Sequence, residues 1–221
     1  MSRRSQMFLS SVGKKQVMAL TGLAFVAFLT VHLAGNLNIF FGAHALNKYG
    51  ETLESFGAVI VCAEIGLATT LLVHAILGVM VVVRNFQARG QSYDVKKEEG
   101  GRSIASRTMW ITGPFILAFV GIHVAQFAIP YKFGKDLMLS EIVRTRLHDP
   151  VWAAVYGAAM LIIALHVSHG FWSALQTLGL APKRHGQTRE ASYLLAIIFA
   201  MGYGFLAAAI YFVPKVLALQ P

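Results

Sequence analysis

Five of the eight histidines in this 221-residue chain stand where water should be absent. His32 lies inside LTGLAFVAFLTVHLAGNLNIFF, a run from Leu20 to Phe41 with no formal charge. His74 lies in LLVHAILGV, His123 in GIHVAQF, and His166 and His169 in ALHVSHGFWSALQTLGL. A polar ring in hydrocarbon must find a partner, because an unsatisfied polar group there is costly. A hydrogen bond to a neighbouring helix serves a single histidine well. One histidine in each of four successive apolar runs, two in the fourth and none in the fifth, points instead to a shared ligand. Proton relays usually add carboxylates, and Glu64 is the single acid within an apolar run. Zinc calls for tighter clusters with thiolate or carboxylate donors. The lone cysteine, Cys62, excludes a disulfide framework, a thiolate metal site and a CxxC motif within this chain.

The elements that position these rings follow from composition. With 56% hydrophobic and 13% charged residues, the chain reads as an integral membrane protein. Runs long enough to cross a hydrocarbon core of roughly 30 Å occur at about 17–40, 57–83, 108–129, 151–178 and 192–213. The fold class expected is therefore an all-α membrane protein, a single domain of five transmembrane helices without a tandem repeat. The first run is too long for an ordinary signal peptide, and the first helix is expected to stay. The net charge of +9 does not indicate nucleic acid, since the basic residues sit in short clusters between apolar runs. Thirteen Lys and Arg fall on one side of the spans and six on the other. The positive-inside rule then predicts a cytoplasmic N-terminus and a C-terminus on the outer side. The polar connection from Arg84 to Arg107 should lie at the cytoplasmic surface, where a soluble partner could dock. On the outer side, DLMLSEIVRTRL predicts a short interfacial helix.

Depth sorts the histidines into two levels. His32, 17 residues beyond Lys15, and His123, 16 beyond Arg107, lie roughly 24 Å from the basic ends of their helices at ~1.5 Å per residue. His74 and His166 share a level about 15 to 21 Å from that side. Two levels with two histidines each match two bis-histidine haems, each iron taking axial imidazoles from different helices. The pairing expected is His32 with His123 at the outer iron and His74 with His166 at the inner one. Glycines on the same face, Gly35, Gly78 and Gly170, would leave flat space for a porphyrin. His169, one turn from His166, is expected to hydrogen-bond beside the haem. His44, His148 and His185 fall in predicted loops, and Trp110, Trp152 and Trp172 read as interface or packing residues. Glu64, about seven residues inside the outer end of the second helix, is expected to be a buried carboxyl at the outer level that could exchange protons with a quinone.

The pieces MALTGLAFVAFLTVHLAGN, LLVHAILGV, GIHVAQF and ALHVSHGFWSALQTLGL, in that order over nearly the whole chain, resemble the five-helix, two-haem cytochrome b subunit of succinate:quinone oxidoreductases and fumarate reductases. The resemblance implies His32, His74, His123 and His166 as axial ligands of two b haems. It also implies a bacterial-type cytoplasmic membrane, menaquinone or another quinone, and attachment to a flavoprotein subunit with FAD and to an iron-sulfur subunit. The complex as a whole could then oligomerise. The dicarboxylate chemistry belongs to the partners, since this chain has neither a GxGxxG fingerprint nor a cysteine cluster. Some relatives carry a glutamate two residues before the fourth ligand; here that position is Ala164. Two alternatives stay open on sequence: a dihaem anchor of a hydrogenase or formate dehydrogenase, and a haem-free transporter or scaffold.

Overall fold

The structure, a computed structural model, describes residues 10–87, 104–134, 137–181 and 185–212. Among these there is no strand. The chain forms α1 (Ser11–Asn36), a 3₁₀ turn (Leu37–Phe41), α2 (Ala43–Ser55), α3 (Ala58–Gln87) and α4 (Ile104–His123). A π-helical turn (Val124–Ala128), α5 (Ile129–Phe133), α6 (Leu139–Leu147), α7 (Pro150–Thr177) and α8 (His185–Phe212) follow. Five continuous helical segments are long and apolar enough to cross a membrane: Val12–Phe41, Ala58–Gln87, Ile104–Phe133, Pro150–Thr177 and Gly186–Phe212. The fold is an all-α bundle of five such helices, that of a multi-pass membrane protein. They overrun the expected spans at most ends, because basic and polar end residues continue the helix while lowering hydropathy. Residue 213 of the fifth expected span and residues 88–103 of the polar connection lie outside the described residues.

Exposure supports lipid as the solvent. No residue of α3 is buried against protein, although the helix is apolar all round; Val59, Ile65, Leu72, Ile76 and Val79 are all exposed. A soluble domain does not leave a surface of that size to water. Hydrocarbon covers it at no cost, provided the backbone satisfies itself as a helix does.

The helix starts are written locally. Ser10 accepts the Gly13 N–H at 3.1 Å, and Asp149 accepts from Val151 and Trp152 ahead of Pro150 at the first helical position. Gly42, at φ +96°, turns the chain from the 3₁₀ segment into α2, a conformation that L side chains rarely adopt.

The packing order matters most for the site. α1 lies against α3 and α7, and α4 lies against α3 and α7 as well. The four helices carrying the intramembrane histidines therefore close a ring in the order α1, α3, α4, α7. α8, with no histidine beyond its first residue, packs outside on α7 and more lightly on α1. Small residues allow the α7–α8 approach: Ala159 and Ser192 are fully buried, and Ser192 donates to the Ser168 carbonyl at 2.5 Å. α2 and α6 cap one end of the ring. Ala43, Leu46 and Gly50 of α2 are buried there, and Asn47 Oδ1 accepts the Ser140 N–H at 2.9 Å. α6 is the short helix expected over this stretch, with Ile142, Val143 and Leu147 buried against the bundle. α2 departs from expectation, for it places His44 on a helix rather than in a loop.

Candidate functional site

The ring brings the histidines together in diagonal pairs. His32 on α1 and His123 on α4, opposite members of the ring, approach with ring centroids 5.8 Å apart and planes 73° apart. This pair lies toward the end capped by α2 and α6. His74 on α3 and His166 on α7 stand on the other two helices, which are also opposite members of the ring, farther from the cap. His32 and His123, which the depth argument places at one level, are the two whose rings meet.

Each ring is clipped at Nδ1 by a hydroxyl. Thr21 Oγ1 of α1 lies 2.9 Å from His74 Nδ1, and Thr112 Oγ1 of α4 lies 3.0 Å from His166 Nδ1. Tyr203 Oη of α8 is 3.0 Å from His32 Nδ1, and Tyr156 Oη of α7 is 3.5 Å from His123 Nδ1. Every clip comes from a helix packed beside the histidine's own, so each imidazole is steered across the ring. Among the described residues, the Nε2 atoms of His123 and His166 make no hydrogen bond. Asn36, one turn beyond His32, gives its amide to the His32 carbonyl at 2.8 Å and lies 3.3 and 3.5 Å from the two ring nitrogens.

Local backbone features serve the cap-side pair. Directly after His123 the helix widens into the π turn Val124–Ala128, which buries Gln126 and presents its Oε1 to the Tyr156 hydroxyl at 3.0 Å. Turns of this kind are frequent at functional sites. Phe119 and Phe127 flank the His123 ring at 6.1 and 5.1 Å, and Phe28 lies 5.3 Å from His32.

The expected glycine roles are partly redistributed. A Cβ on Gly78 or Gly170 would meet nothing within 4 Å, so open space does lie beside these residues. Gly35 instead makes room for protein, since Tyr49 of α2 occupies the place of its missing side chain. The glycines that approach the far-side rings belong to neighbouring helices. A Cβ on Gly22 would come within 3.3 Å of His74 Cε1, and one on Gly113 within 3.9 Å of His166 Cε1.

The spacing of His32 and His123 is compatible with a bis-imidazole haem, and His74 and His166 would be the residues to hold a second. The His32 and His123 ring centres lie 5.8 Å apart, on the scale of two imidazoles that would share one metal through bonds of ~2.0–2.1 Å each. Imidazoles engaged at Nδ1 with Nε2 left open, as at His123 and His166, are the donor set that axial ligation requires. A protein-only metal site has no comparable basis, as no cluster of three or more His, Cys, Asp or Glu side chains is placed to hold an ion among the described residues.

His169 stands apart. Its ring packs 5.9 Å from Trp172, and its Nδ1 is buried without the hydrogen-bond partner expected of it. His148 lies exposed in the turn between α6 and α7, as expected, with its ring 6.2 Å from that of Tyr211. Glu64 also differs from the buried acid expected. Its side chain is 45% exposed on the outside of α3 and forms an ion pair with Lys132 of α5. Sequence reasoning missed Thr21, Thr112, Tyr156, Tyr203 and Gln126. A hydroxyl one helix away from each histidine was the available signal, but its use depends on how the helices are rotated. Comparison with family models, with curated proteins and with solved structures finds no match to this chain.

Proposed function

We propose that the chain is the dihaem cytochrome b membrane anchor of a succinate dehydrogenase or fumarate reductase. It would transfer electrons between a membrane quinone, menaquinone being the first candidate, and an iron-sulfur subunit docked with its flavoprotein partner. The observation that carries this reading is the ring arrangement: four helices with a histidine each close a ring, His32 and His123 meet across it with ring centroids 5.8 Å apart, and His74 and His166 stand on the other two helices farther from the cap. Haem supplies a one-electron centre at each level when bound. The chain's own part is to present His32 and His123 to one iron and His74 and His166 to the other, and to hold each ring in place through its clipped Nδ1.

The charge distribution supports a cytoplasmic N-terminus in a bacterial-type inner membrane, with the cap on the outer side. The His74–His166 pair would then face the cytoplasmic partners and the His32–His123 pair the outer leaflet. Glu64, paired with Lys132 on the lipid-exposed face, is the group proposed to exchange protons with quinone. Purification in mild detergent tests the whole reading. A flavoprotein with covalent FAD and an iron-sulfur protein should co-purify, and succinate should reduce part of the b-type absorbance. Co-purification of hydrogenase or formate dehydrogenase subunits would reassign the complex, and an absorbance spectrum without haem would overturn the reading.

A further inference from the structure

The four hydroxyls at the histidine Nδ1 atoms share a pattern beyond proximity. Tyr203 Oη donates its single proton to the Leu29 carbonyl at 2.7 Å. A carbonyl oxygen can only accept, so the remaining contact of that hydroxyl, to His32 Nδ1, must be donated by the ring. Thr21 likewise gives its proton to the Val17 and Met18 carbonyls at 2.9 and 3.0 Å, which leaves its oxygen to accept from His74 Nδ1–H. Thr112 donates to the Met109 carbonyl at 3.4 Å and faces His166 Nδ1. Tyr156 donates to Gln126 Oε1 at 3.0 Å and faces His123 Nδ1. Each ring thus has a hydroxyl oxygen at Nδ1 that favours the Nδ1–H tautomer; at His32 the Asn36 amide, bonded to the His32 carbonyl at 2.8 Å, also lies 3.3 Å from Nδ1, a longer contact than the 3.0 Å of Tyr203. His169, the one intramembrane histidine outside the two pairs, has no such partner.

We infer that Thr21, Thr112, Tyr156 and Tyr203 are positioning residues that lock the ligand tautomers and set the electron-donating strength of the two haem sites independently, Tyr156 and Tyr203 for the cap-side site and Thr21 and Thr112 for the far-side site. This rests on the dihaem reading. An acceptor on the distal ring nitrogen raises the basicity of the coordinating one, which favours ferric over ferrous iron, and loss of such a partner typically weakens metal retention about 10-fold or more. The clips also differ in chemistry: aliphatic hydroxyls anchored on helix carbonyls at one site, phenols at the other. A pair of hydroxyls can therefore be removed from one site while the other keeps its own.

The test is redox titration of the purified holoprotein, with ferric low-spin electron paramagnetic resonance as a second readout, on Tyr203→Phe, Tyr156→Phe, Thr21→Val and Thr112→Val. Each substitution keeps the packing volume and deletes the acceptor. Either tyrosine variant should raise the potential of one b component and alter its resonance. Either threonine variant should do so for the other component alone, and Thr21→Ser should restore the wild-type value. Haem loss to an apoprotein acceptor should be about 10-fold faster from the affected site. Haem-loaded variants with both potentials and both resonances unchanged would overturn the inference while leaving the dihaem reading intact. A tyrosine and a threonine variant shifting the same component would overturn it as well. Wild-type protein without haem would instead remove the reading beneath it.

Discussion

The two histidine pairs are built alike in principle and differently in material. The far-side pair, His74 and His166, is held by threonines that sit inside ring helices and lean on their own helix carbonyls, and glycines of those helices approach its rings. The cap-side pair, His32 and His123, is held by tyrosines, one of them from α8 outside the ring, and is surrounded by aromatic rings and a π turn. The difference shows two ways of fixing an imidazole in a membrane bundle. One is short and local, and tolerates little added bulk. The other is long and reaches across helices, so it depends on how α8 is seated.

The sharpest way to break the comparison is to remove ligands. His32→Ala and His123→Ala should each abolish or convert the same spectral component, with the double variant doing little more, because both serve one site. His32→Ala combined with His74→Ala should damage both components. Spectroelectrochemistry of the single and double variants checks this, and loss of one common component from the His32 and His74 variants would break the pairing.

Bulk should separate the pairs next. Gly22→Ala places a Cβ 3.3 Å from His74 Cε1, tight enough that the ring must give, so the far-side component should shift in potential while the cap-side one is unchanged. Gly113→Ala, at 3.9 Å from His166 Cε1, is ordinary contact and should have a smaller effect on the same component. Equal disturbance of both components by Gly22→Ala would contradict the placement of that residue beside one pair.

The smallest effect on the sites themselves is expected at Glu64. Glu64→Gln breaks the ion pair with Lys132 on the outside of α3, away from both histidine pairs, and should leave haem content near wild type. Quinone turnover should fall. Unchanged turnover in a quinone reductase assay would remove Glu64 from the quinone site, and loss of haem would show that the ion pair carries structure instead.

Much of this architecture was legible in the sequence because it depends on one coordinate, depth. Counting residues from basic clusters placed His32 level with His123 and His74 level with His166, and uncharged runs located the spans. Rotation about each helix axis was not legible. An apolar helix facing lipid on one side and protein on the other has no strong polar face, so nothing marked Thr21 and Tyr203 as facing histidines while Thr69 and Thr177 bond only to carbonyls of their own helices. The same blindness assigned Gly35 to a porphyrin face when it receives Tyr49. It also made Glu64 a buried acid, since hydropathy cannot see that Lys132, 68 residues later, lies beside it. α2 was missed for a different reason: AHALNKYGETLES is too polar for a span, and its buried face of Ala43, Leu46 and Gly50 is narrow.

The most direct measurement is the haem content of the purified wild-type chain by pyridine haemochrome assay against protein concentration. The account predicts two b-type haems per chain, both extractable into acidified organic solvent, since no CxxCH motif is present to bind them covalently. One haem or none per chain would contradict the claim that four histidines on four helices form two sites.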